Sequence, residues 1–274
     1  MPTFTGKTFS SFYKNLLGID QSTNTGVDAT LRNIHDGAGN STSMSVSDDL
    51  FAVRPRNDDT GATFGVTNVA GSPVLKVNTT DSKVLVGASQ VAANTQYAHF
   101  GCNSADPTVY SMLADTHYAI PFTIAGFGGT IANFAMGSST SSSFNDTDPA
   151  TSLSISTSAM DIVGCYWYVM DDITIDAVKW FHGADTATGE STAAHLMAHT
   201  VSTANDSTGG GLSSGVVAAD GATITNAGYE QIYYQSMTVQ SADVDAGKVI
   251  LFTFASDTVN SDYSINATVK YHIR

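Results

Sequence analysis

FGVTNVAGSPVLKVNTTDSKVLVG, residues 64–87, reads as three short β segments joined by tight turns. Phe64 and Val66 alternate with small or polar neighbours, Leu75 and Val77 flank Lys76, and Val84 and Val86 flank Leu85. Asn68, Gly71, Ser72 and Pro73 fill the first gap, and Asn78 to Ser82 fill the second. Apolar residues at period two, bounded by Gly, Pro, Asn and Asp, are the signature of strand, turn and strand. Each segment spans about four or five residues, near the short end of the strand range. So small a meander cannot bury its own apolar face, because a lone hairpin is marginal in water. Phe64, Val66, Leu75, Val77, Val84 and Val86 are therefore expected to form the core of a shaft in which three chains cover one another about a common axis.

The order of residues in this stretch is an aromatic-x-Val segment, a Gly turn, Val-Leu-x-Val, an Asn/Thr turn and Lys-Val-x-Val. It resembles the short shaft repeats of trimeric fibre and appendage proteins of tailed bacteriophages, over roughly residues 36–92. One clear copy is legible, so a long repetitive fibre is not implied. The resemblance implies a homotrimer, a non-enzymatic structural role in the virion, and attachment of the N-terminal part to other virion proteins of the capsid, neck or tail. Whether such a protein decorates the head or serves as a tail fibre is left open, and host attachment is a further role it implies.

Composition is compatible with this. Only 13% of the 274 residues are charged, against about 25% in ordinary soluble domains. Yet 42% are hydrophobic and 9% aromatic, which is enough to build a core and unlike a disordered chain. Many short strands joined by many Ser, Thr, Gly and Asn turns would give these totals. The net charge of −14 is unevenly spread: residues 1–90 hold seven Lys/Arg and eight Asp/Glu, and residues 91–274 hold four and seventeen. So acidic a C-terminal part argues against direct binding of nucleic acid or anionic lipid. The near-neutral N-terminal part is where copies of the chain would associate with least repulsion.

The N-terminus, MPTFTGKTFSSFYKNLLG, has no long apolar run of the signal-peptide kind. No window approaches the ~18 consecutive apolar residues of a membrane span. The expectation is synthesis in the host cytoplasm, residence in the virion and no membrane insertion. The Asn-x-Ser/Thr sequons at Asn40, Asn78, Asn145, Asn205 and Asn266 are then composition, not glycosylation sites. Phe9, Phe12, Tyr13 and Leu16 fit an i, i+3, i+4, i+7 stripe, which predicts a short helix stopped by Gly18. With Phe4, this stripe is either a helix packed on its own shaft or the plug that anchors the protein to a larger particle.

Residues 20–35 are polar and turn-rich, and DGAGN at 36–40 is a strong turn signal. Strands that could feed the shaft follow at Met44 and Val46 and at Phe51 and Val53. Residues 88–114 read as a junction. Beyond Asp115 the candidate strands lengthen, from HYAIPFTIAGF through MDIVGCYWYVM, ITIDAVKWFH, AAHLMAHTVS and KVILFTFAS to YSINATVKYHI. Up to ten such segments with no amphipathic helix between them predict an antiparallel all-β domain, first of all a jelly-roll-like sandwich. IVGCYWYVM and VILFTFA, apolar on both faces, are expected to be central strands. The organisation expected is an anchor segment at 1–35, an intertwined β shaft at 36–92 and a β-sandwich at 93–274.

Few residues suggest chemistry. His195 and His199 stand four apart in HLMAH, with His182, Asp185 and Glu190 not far off in sequence, but Leu196 occupies the place of the zincin glutamate. A structural role is the simpler reading, with an ion on a threefold axis as the sharper one. Asp171, Asp172 and Asp176, or Asp146 and Asp148, could offer oxygens to calcium, yet no EF-hand loop is present. P-loop, CxxC and GxGxxG-helix patterns are missing, so no catalytic residue, metal or cofactor is expected. Cys102 and Cys165 read more simply as buried thiols than as a pair. Aromatics crowd into three segments, and Trp180, Tyr229 and Tyr233 are the candidates for stacking on a host-surface glycan. The competing reading of the whole chain is a monomeric carbohydrate-binding β-sandwich module.

Overall fold

The computed structural model describes residues 16–21, 26–105, 114–122, 135–136, 163–185, 189–201, 212–258 and 260–274. Phe4, Phe9, Phe12, Tyr13 and the expected helix through them lie outside these residues, as do the segments at 137–162. The chain divides into two compact units, 1–93 and 94–274.

The first unit holds two four-stranded antiparallel meanders. One runs β1 (Leu17–Ile19), β2 (Arg32–Asp36), β3 (Ser41–Val46) and β4 (Phe51–Val53). The other runs β5 (Phe64–Thr67), β6 (Pro73–Asn78), β7 (Lys83–Val86) and β8 (Val91–Ala92). The turns follow from Asx and Gly chemistry. After β6, Asn78 Oδ1 accepts the Asp81 N–H at 3.1 Å, its Nδ2 donates to Asp81 Oδ2 at 2.7 Å, and Ser82 takes a φ of 53°. After β2, Asp36 Oδ1 accepts the N–H groups of Ala38 and Asn40, and Gly39 takes a φ of 86° that favours glycine.

One expectation needs correction here. Leu17–Ile19 is a strand, so Gly18 does not stop a helix but sits opposite His35 in a ladder. β2, ending at Asp36, pairs with both β1 and β3, so its ladders run across residue 35. The three segments read at 64–87 form as β5, β6 and β7, with β8 added.

Among the described residues the second unit is an antiparallel sandwich of eight main strands. In chain order its strands are β9 (Thr95–Ala105), β10 (His117–Ile120), β11 (Ala135–Met136), β12 (Trp167–Tyr168), β13 (Ile173–Ala184) and β14 (Ser191–Val201). They continue as β15 (Leu212–Asp220), β16 (Ile224–Thr225), β17 (Gln231–Val239), β18 (Asp243–Val244), β19 (Lys248–Ser256) and β20 (Tyr263–Ile273). A front sheet has the order β9-β20-β13-β17 and a back sheet the order β10-β19-β14-β15. They join at two narrow seams, one where Ala219 and Asp220 pair with Val239 and Thr238, the other at the bridge between Phe100 and Phe122. The result is a jelly-roll-like sandwich, nearly closed into a barrel.

Residues 95–105, expected as part of a junction, instead form β9, which pairs along most of the length of β20. Ala98, Phe100 and Cys102 point inward from it. The expected central strand IVGCYWYVM shrinks to the two residues of β12, preceded by a 3-10 turn at 163–165. VILFTFA is central as read: within β19, Ile250, Phe252 and Phe254 face the sandwich core, while Val249 and Leu251 face a second cluster with Met197, Val217 and Cys165. Trp180, Phe252, Phe254 and Tyr263 pack together in the core, Trp180 edge to face with Phe254 and the Phe254 and Tyr263 rings tilted with centroids 4.9 Å apart.

Candidate functional site

In an antiparallel sheet directly paired residues share a face. Phe64, Val77 and Val84 therefore make one rung of the second meander, and Val66, Leu75 and Val86 the next, continued by Val91. All six expected shaft residues lie on one face. The opposite face carries Gly65, Lys76, Leu85 and Ala92. In the single chain Phe64, Val66, Val84 and Val86 are 40–44% exposed. Among the described residues 16–93, only Ser47 and Asn78 are buried and no apolar side chain is. Leu16, the one described member of the expected anchor stripe, is exposed.

The proposed glycan residues do not come together. Trp180 is 0% exposed, its indole N–H donating to Gln235 Oε1 at 3.3 Å, so its ring belongs to the core and offers no face to a sugar. Tyr233 is half-buried, stacked on His182 at 5.0 Å, and its hydroxyl accepts the N–H groups of Ala227 and Gly228. Tyr229 is exposed. The cause is a bulge in β13: its register shifts between Ile175 and Ala177. Ile173 and Ile175 point inward before it, Val178, Trp180 and His182 after it. An unbroken alternation would have put Trp180 outside and Phe181 inside.

The bulge instead brings Phe181 to the outer face of the front sheet, opposite Tyr234, with rings 5.8 Å apart and 28° from parallel. On its other side Phe181 pairs with Asn266. Phe181, Tyr234 and Ile232 are 41%, 70% and 77% exposed. Phe181 and Ile232, with Gly183, Ser264 and Asn266, border a cavity of about 240 Å3 whose lining has no carboxylate.

The titratable groups of this unit are mostly structural. His195 Nδ1 lies 2.7 Å from Asp220 Oδ1, with the His117 ring 4.6 Å away, and His272 Nδ1 lies 3.0 Å from both Asp176 oxygens. Such dyads can orient a base, and both imidazoles are buried. Burial pulls His182 and His199 down to about 4 and pushes the free thiols Cys102 and Cys165 up to about 12. Thiols so raised are poor nucleophiles. Buried Glu190 accepts from the Tyr263 hydroxyl at 2.6 Å and from Thr258, and burial together with that carboxylate raises Tyr263. His182, His195, His199, Asp185 and Glu190 do not converge, and no metal-ligand cluster of three or more occurs among the described residues. No helix among them is long and apolar enough to cross a membrane.

No protein-family profile matches the chain, and no match is found among curated proteins.

Proposed function

We propose that the chain is a non-enzymatic structural component of a bacteriophage virion, a short homotrimeric fibre or decoration protein. Its N-terminal segment attaches it to the capsid, neck or tail, residues 36–92 are the intertwined shaft, and the C-terminal jelly roll projects outward. The observation that carries this reading is the first unit's lack of any buried apolar side chain among its described residues, combined with two rungs of Phe, Val and Leu on one sheet face. The resemblance of residues 36–92 to phage shaft repeats supplies the setting. The near-neutral charge of residues 1–90 favours self-association over binding to an acidic or basic partner. Light scattering on the intact protein tests it. The trimer has three times 28.6 kDa, about 86 kDa, and a stable 28.6 kDa species at all concentrations overturns the reading.

One observation favours host-surface adhesion by the projecting unit, and equally the alternative of a monomeric carbohydrate-binding module. The exposed Phe181–Tyr234 pair stands beside the amide of Asn266 and the hydroxyl of Ser264, the pairing of aromatic face and polar groups that holds sugars. Tyr234→Ala removes binding to host-surface glycan in titration calorimetry if that surface is the contact, and leaves it intact if it is not. The measured mass separates fibre from monomeric module.

A further inference from the structure

The sequence shows one legible shaft copy, but the first unit contains two meanders of the same design. Between the second and third strands each has a four-residue turn, 37–40 and 79–82, and between the third and fourth another, 47–50 and 87–90. In both, the turn after the second strand is closed by an Asx side chain on that strand's last residue, Asp36 and Asn78. Both are also one-sided. In the first meander Val46 and Phe51 share a rung with Arg32, Met44 pairs with Val53, and Ile19 pairs with Ile34. The reverse face holds Gly18, Asn33, His35, Ser45 and Ala52, where Ser45 Oγ donates to Asn33 Oδ1 at 2.9 Å.

We infer that the meander of residues 17–53 is a second self-association module, its apolar face covered by the same face of sister chains. This rests on the proposed trimeric reading and extends it into the segment expected to be a particle anchor. Three observations select a copy of this chain as the occupant. The face is covered only in part by its own unit, since Ile19, Ile34, Met44, Val46 and Val53 are half-buried and Phe51 is exposed. Its one cation, Arg32, is already neutralised by Asp28, to whose Oδ2 it donates at 2.8 Å, and Asp36, the anion on this face, stands at the end of the ladder with its carboxylate turned to the N–H groups of Ala38 and Asn40, so the centre of the face carries no unpaired charge. Area supplies the third. A face of four strands about 4.8 Å apart and about four residues long projects roughly 260 Å2, against about 800 Å2 per partner in a standard stable interface. The second meander alone falls well short, and an equivalent face on the first doubles what it offers.

The test compares three full-length chains by sedimentation equilibrium over a dilution series: wild type, Met44→Asp/Phe51→Asp, and Val66→Asp/Val86→Asp. None of the substituted side chains is buried in the single chain, and unchanged far-UV circular dichroism confirms that each strand set persists. The inference expects either pair to weaken association by about tenfold or more, since charge is forced into the centre of an interface. A Met44→Asp/Phe51→Asp chain with the wild-type dilution curve overturns the inference and leaves the trimeric reading standing. A wild type that is monomeric throughout overturns both. Independently of any destabilised variant, a photo-crosslinking residue at Val53 in mixed isotope-labelled and unlabelled chains should join residues 41–53 of one copy to residues 17–53 of another. Cross-links confined to single chains contradict it.

Discussion

The two units use the same strand-and-turn chemistry and arrive at opposite solutions to burial. In the C-terminal unit a front and a back sheet face each other, and Trp180, Phe252, Phe254 and Tyr263 are removed from solvent within one chain. In the N-terminal unit each meander has one apolar face, and no described apolar side chain is buried. The difference lies in how the chain returns on itself. Strands β9 and β20, far apart in sequence, pair closely in the sandwich, whereas every ladder in the meanders joins neighbours in sequence. A local meander makes a face quickly and gives it nothing to pack against. Within this account, stability belongs to the chain in one unit and to the assembly in the other.

The comparison breaks most visibly where the sandwich depends on long-range pairing. Removing residues 265–274 takes away all but the first two residues of β20, which pairs with β13 on one side and β9 on the other. The expected outcome is loss of cooperative unfolding of the C-terminal unit. A soluble truncated chain with unchanged circular dichroism contradicts it. Trp180→Ala, which empties a fully buried site, should cost about 3–5 kcal/mol in urea unfolding. An exposed rung residue such as Val84→Ala should change the C-terminal transition by less than about 0.5 kcal/mol.

Acid should sharpen the same contrast. His182 and His199 have their pKa lowered by burial to about 4, so the folded unit binds fewer protons than the unfolded chain. Stability is then complete above the ordinary value of 6.5 and is lost as pH falls towards 4, by up to roughly 3 kcal/mol for each histidine. The check is a series of urea melts between pH 7 and pH 4, in which His199→Gln should remove about half of the pH dependence. Smaller still is Gly221→Ala. Its Cβ would meet Gln235 Oε1 at 2.8 Å and the Ala194 carbonyl at 3.0 Å, which predicts a loss of about 1–3 kcal/mol by denaturant melts.

How much of this was legible in the sequence depends on whether alternation ran unbroken. β5, β6 and β7 could be read because Gly, Pro and Asn turns bracket clean period-two spacing, and β20 because its alternation continues almost to the last residue. At that C-terminal end His272, which strict alternation from Tyr263 places on the polar face, is buried against Asp176, the residue at the bulge of β13. That bulge inverts the parity of every later residue in the strand, so Phe181 rather than Trp180 reaches the surface. β9 was missed because TQYAHFGC places small Ala, Gly and Cys where a strand pattern expects bulky residues. In IVGCYWYVM uniform hydrophobicity concealed the turn at Val163–Cys165. The kinship of the two meanders is geometric, carried by turn length and face, while their apolar residues and first connections differ. The contrast between exposed Phe181 and buried Trp180 therefore rests on pairing register, which composition does not encode.

The most direct measurement is hydrogen exchange on the intact wild-type chain beside the Val66→Asp/Val86→Asp chain at one concentration. The account predicts that the amides of residues 74–78 and Lys83–Val86 are protected in the wild-type assembly and lose that protection in the variant, while Tyr263–Ile273 exchange equally slowly in both. Equal protection of the meander strands in a monomeric wild-type chain would contradict it.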